Sequence, residues 1–135
     1  MNTAEVIYQG QLRAECTHLQ SGTNILTDAP TDNFGQGAYF SPTDLVATAL
    51  ASCMITTVGI ITRLENIKLD GSKLTVKKIM ESNPRRISQI VVDVEINNNT
   101  LTVDQKKRVE EIALNCPVAK SLHPELIQKV SFNYF

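Results

Sequence analysis

This chain of 135 residues has no excess of charge of either sign: 13 lysines and arginines stand against 14 aspartates and glutamates, for a net charge of −1. The basic field that would draw nucleic acid or anionic lipid is missing, so small, near-neutral partners are favoured. Cysteine is scarce as well. Three thiols do not make a disulfide framework, and the odd count argues against a stapled secreted fold. The opening residues, MNTAEVIYQG, carry no basic segment followed by an apolar stretch, so no signal peptide is expected and the cytoplasm is the default location. There are no repeats, no low-complexity tracts and no glycine-rich phosphate loop. A metal-thiolate site joining Cys53, Cys116, His18 and His123 has no CxxC or HxxxH spacing to support it. In a reducing compartment the cysteines are left as core packing, metal ligands or catalytic thiols.

The chain does have one long apolar run. Ser41 to Arg63, SPTDLVATALASCMITTVGIITR, opens with Ser41 as N-cap, Pro42 at the first helical position and Asp44 three residues after the cap, a shortened capping box. It then continues without a charge from Leu45 to Thr62, about the minimum length for a membrane span. Its threonines, Ser52 and Gly59, and the lack of an aromatic or basic belt before it, favour a helix buried by its own protein. Leu45, Ala49, Cys53, Thr56 and Ile60 line up as one face, with apolar residues over much of the rest, so a core helix is expected. A helix of about 24 residues, roughly 36 Å long, is more than one domain of this size covers alone, and a dimer that shares the cover is the natural reading.

Around it the pattern predicts one domain over residues 1–135. Glu5 to His18 alternates as a half-buried strand, and Asn24 to Thr27 pairs back onto it. Asp28 to Phe40 reads as loop, with a few strand residues at Ala38–Phe40, and Asp28 and Asp32 as turn formers. Lys73–Met80 and Ile87–Ile96 form a hairpin with a bulge implied between Val76 and Ile79. Thr102 to Leu114 is an amphipathic helix with a Thr102/Gln105 capping box. A short helix starts at Cys116-Pro117, and Ile127–Phe135 is a last strand. The element order is that of an α+β fold.

Two thiols carry candidate chemistry. Cys116, as the cap residue of a helix, sits where unpaired N–H groups stabilise an anion and favour thiolate. Cys53, in mid-helix, has no such help and needs a nearby cation or donor to react. Cys16 lies on the apolar parity of the first strand and reads as packing.

SPTDLVATALASCM followed by TVGI, together with NCPVAKSLHPE some sixty residues later, resembles the OsmC/Ohr family of thiol peroxidases. The resemblance implies an OsmC-like α+β fold, with antiparallel sheets around long buried central helices in an intertwined homodimer whose active sites lie at the subunit interface. It implies that Cys53 is the peroxidatic thiolate and Cys116 the resolving thiol. Organic hydroperoxides would be reduced to alcohols through a Cys53 sulfenic acid and a Cys53–Cys116 disulfide, with no cofactor beyond an external dithiol reductant. Val46, Leu50 and Met54 would give the substrate an apolar lining. The family lowers the peroxidatic pKa with an arginine held by a glutamate at the start of the central helix. Asp44 stands nearest that glutamate's place, one position later, where Thr43 occupies the matching position. Arg13 is the upstream candidate for the arginine, since none occurs between Arg13 and Arg63, with His18 as a second. The competing reading is a binding module, a dimer holding a small apolar or electrophilic ligand with its thiols structural or sensory.

Overall fold

A computed structural model describes all residues, 1–135. Its secondary structure runs β1 (Ala4–Gly10), β2 (Arg13–His18), β3 (Asn24–Asp28), a 3-10 turn (Thr31–Asn33), α1 (Pro42–Thr62), β4 (Lys73–Glu81), β5 (Arg86–Ile96), α2 (Val103–Leu114), α3 (Pro117–Ser121) and β6 (Ile127–Tyr134). The expected α+β class holds. The chain forms two compact units, Met1–Val46 and Ala47–Phe135, and α1 begins in the first and continues into the second.

The first unit is an antiparallel sheet in the order β1-β2-β3. The single strand expected from Glu5 to His18 is in fact two, turned back on each other at Gln11 and Leu12, which adopt φ of 54° and 63°. Two central residues with positive φ are what a tight hairpin needs to match the twist of its strands. The two-residue turn alone would exchange the faces, since it sets Gly10 opposite Arg13, but a bulge between Tyr8 and Gly10 restores them: Val6 pairs with Cys16 and Tyr8 with Ala14, so even-numbered residues share a face on both strands and the reversal escapes a parity reading. After β3, Gly35 allows a close approach that no other residue permits, since a Cβ there would fall 1.6 Å from the Ala29 carbonyl oxygen. Ala38–Phe40 is not a strand, although the Asp28 N–H donates to the Phe40 carbonyl. The unit ends in the α1 cap: Ser41 Oγ accepts from the Asp44 N–H at 3.1 Å, and Asp44 Oδ2 accepts from the Ser41 N–H at 2.9 Å. This is the reciprocal box expected, made with the shorter acid.

The second unit packs α1 on a sheet ordered β4-β5-β6. β4 and β5 are antiparallel, and β6 joins β5 in parallel after the α2–α3 crossover, so this sheet is mixed. Ile90, Val92, Val94 and Ile96 alternate inward and are buried with Val109 and Ala113 of α2. The bulge lies on β5 and not on β4: Met80 pairs with Ile87 and Ile79 with Gln89, leaving Ser88 extra. Its hydroxyl donates to the Ile79 carbonyl. β4 keeps strict alternation by placing Lys78 on the inward parity and Ile79 outward. The α2 capping box and the α3 start at Pro117 match the reading of their sequences.

Helix α1 runs 21 residues and buries a different stripe from the one read off the wheel. Ala47, Leu50, Ala51, Met54, Val58 and Thr62 face the core. Val46 and Ile60 remain 37% and 56% exposed in the single chain and share the opposite side with exposed Ala49, Ser52 and Thr56, so burial of the helix covers one side only. By length and composition α1 could cross a membrane, but its inner face is part of the domain's core.

Candidate functional site

Cys53 comes from the middle of α1 and Cys116 from the residue that caps α3, and the fold of the second unit brings them into contact. Within α1 every mid-helix N–H is committed to the helix ladder, so the donors to the Cys53 sulfur come from elsewhere. The Val118 N–H in the first turn of α3, the Thr57 hydroxyl and the Cys116 thiol all reach it. The Thr57 oxygen lies 3.7 Å from the sulfur. Burial pushes the Cys53 thiol up, but these three donors outweigh it and leave the thiol below the ordinary cysteine value.

Cys116 behaves in the opposite way. It is fully buried. Burial raises its pKa, as do its hydrogen bond to Cys53 and the negative charge there, and the Ala119 and Val118 N–H groups do not offset this. The local expectation that the capping position favours thiolate at Cys116 is therefore not met. The helix-terminal amide of Val118 serves Cys53, and Cys116 is held neutral as a donor to it. The pair is chemically asymmetric: one half-buried sulfur biased toward thiolate, and one buried thiol beside it.

The other candidates lie in the first unit. Arg13 is locked to Asp28, Nε to Oδ1 at 2.7 Å and Nη2 to Oδ2 at 2.8 Å, and its guanidinium lies 4.8 Å from the centre of the Tyr39 ring. Asp28 is no simple turn former. Its carboxylate is buried, also accepts from the Ala38 N–H, and is held below the usual carboxylate range by Arg13. The β2–β3 register puts Arg13 directly opposite Asp28, so this partner was within reach of the sequence had the hairpin been extended by one residue. Asp44 is engaged in capping α1. His18 bonds Ser21 in an exposed turn, and Cys16 sits on β2 between Val6 and Ile25. Leu50 and Met54 are wholly buried in the core and so do not line a substrate pocket. No group of three or more His, Cys, Asp or Glu side chains converges to hold a metal ion. The residue missed at the site is Thr57, whose signal was its spacing of four from Cys53 on a helix.

Comparison with known proteins adds to this geometry. No functionally curated protein matches the chain. Among solved structures, a protein of Psychrobacter arcticus 273-4 named for osmotic stress induction and detoxification superposes with a TM-score of 0.94 at 47% identity, over 98% of this chain and 96% of that one. An organic hydroperoxide resistance protein of Legionella pneumophila shares the fold at TM-score 0.76 and 15% identity, covering 98% of each chain. A Vibrio cholerae protein of the same description, with captopril bound in one of its active sites, gives 0.72 at 15% identity over 98% of this chain and 92% of that one. Residues 35–130 match the model of the OsmC-like protein family, and with that match spanning both the cap of α1 and the two thiols, the chain belongs to the OsmC-like family.

Proposed function

We propose that this protein is a thiol-dependent peroxidase that reduces organic hydroperoxides to alcohols. The observation that carries the reading is the contact between Cys53 and Cys116 with their pKa values driven apart. An ionised sulfur is the nucleophile that peroxide chemistry requires, and a neutral thiol beside it is the group that can trap the product. The Cys53 thiolate attacks the distal oxygen of ROOH, the O–O bond breaks, and an S–O bond forms. RO⁻ leaves and takes a proton to become the alcohol, while Cys53 becomes a sulfenic acid. Cys116 then attacks the Cys53 sulfur and expels the hydroxyl as water, giving a disulfide. An external dithiol returns both cysteines to thiols by exchange, becoming a disulfide itself.

Family membership, and relatives described as organic hydroperoxide resistance proteins, support the reading. We propose further that the working form is a cytoplasmic homodimer, the uncovered side of α1 being the support for pairing. Arg13, fixed by Asp28, is the proposed cation of the reaction and Asp44 its acidic companion.

The test is rapid mixing of reduced protein with an alkyl hydroperoxide. The native protein should consume peroxide and form a Cys53–Cys116 disulfide. Cys53→Ser should be inert, and Cys116→Ser should react once and stall at sulfenic acid. No oxidation of Cys53 within seconds would end the proposal.

A further inference from the structure

Two threonines of α1 stand four residues after a group they can reach. Thr62 donates its hydroxyl to the Val58 carbonyl at 2.7 Å, the usual use of a threonine inside a helix. Thr57 does otherwise, and its hydroxyl meets the Cys53 sulfur. Helical side chains lean toward the N-terminus, so a residue at i+4 covers the turn that holds residue i. Of the four helical neighbours of Cys53 three or four residues away, Ala49 and Leu50 have nothing to donate and Thr56 is exposed. Thr57 is the one side chain of its own helix that is able to serve the sulfur.

We propose that Thr57 is a further catalytic residue of this site, its hydroxyl donating to the reacting sulfur of Cys53 and holding it as a nucleophile. The proposal rests on the reading of Cys53 as the reactive thiol. Either oxygen or sulfur could donate in a neutral pair, but an ionised sulfur only accepts, so Thr57 must be the donor in the reactive state. Within the Ala47–Phe135 unit, the titratable group facing Cys53 is Cys116, from the start of α3. Thr57 therefore supplements the Val118 N–H, which a side-chain substitution cannot remove.

The experiment compares native protein, Thr57→Val and Thr57→Ser. The rate of Cys53 alkylation by iodoacetamide is followed across pH by mass spectrometry of the Cys53 peptide. Valine keeps the shape and β-branch and removes the donor. Losing one hydrogen bond to a charged acceptor should raise the Cys53 pKa by about one unit. Thiolate would then fall about tenfold at low pH, but a more basic thiolate is a better nucleophile, with a slope of about 0.4–0.5. The net change is about three- to fourfold slower alkylation below the pKa and about threefold faster above it. Crossed profiles, with serine restoring the native curve, are the expected result. Superimposed profiles for native protein and Thr57→Val, or a serine variant that follows valine, would overturn the assignment. Crossed profiles in a protein that consumes no hydroperoxide would leave Thr57 as the thiolate's donor and remove only the peroxidase reading.

Discussion

If two copies pair through the uncovered side of α1, Ile60 is the residue whose loss should be felt most. It lies seven residues, close to two helical turns, from Cys53 and is 56% exposed in the single chain. Burying a whole aliphatic side chain contributes about 1.5–3 kcal/mol, so covering the part of Ile60 left open contributes about 1–1.5 kcal/mol. In a two-fold pair each residue counts twice. Ile60→Ala should therefore weaken pairing by about 2–3 kcal/mol, or roughly 30- to 150-fold in Kd. Ile60→Glu should do more, because it also asks an unpaired carboxylate to leave water on both copies. The folded single chain should tolerate either change, since the side chain there is already mostly in solvent. Sedimentation velocity over a dilution series reads the outcome directly, with thermal unfolding as the control for folding. Native protein that sediments as a monomer at micromolar concentration would refute the reasoning. So would an Ile60→Glu variant that pairs as tightly as the native chain.

Two further expectations concern what holds each unit together. The Asp28 carboxylate is depressed by Arg13, so its contribution to stability is fully present above the unfolded aspartate pKa of about 3.9 and is lost as pH falls through the lower folded value. Asp28→Asn should be less stable than native protein at neutral pH, and denaturant titrations should show the gap closing only in acid. A gap constant down to low pH would contradict the ion pair. In the second unit, the Tyr134 hydroxyl donates to Glu110 at 2.8 Å and ties β6 to α2. Tyr134→Phe should cost about 1 kcal/mol, a fall in Tm of roughly 3–5 °C by calorimetry, and an unchanged Tm would show that water replaces the bond without loss.

What could be read from the sequence was local. Ser41-Pro42 with Asp44, Thr102 with Gln105, and Cys116-Pro117 each state a helix start in side-chain chemistry that acts over three or four residues, and all three starts stand where that chemistry puts them. The hairpin turn at Gln11–Leu12 was hidden because the bulge between Tyr8 and Gly10 offsets the parity change of a two-residue turn and returns the chain with its faces in phase. The inner face of α1 was hidden for a different reason. A helix apolar nearly all round has no moment to orient it, so Leu50, Met54 and Val58 are chosen by the β4–β5–β6 sheet and not by the wheel. The same choice turns Cys53 out of the core and toward α3. There the short helix gives an amide to a sulfur on another element, which inverts the ranking of two thiols that their own local sequence would assign. A cysteine's reactivity depends on which donors the tertiary fold aims at it, and a capping position shows only that donors exist. Thr57 lies between these cases: its spacing from Cys53 was visible, but whether it served the Ala47–Phe135 core, its own carbonyl ladder or the sulfur was settled only once the face of the helix was known.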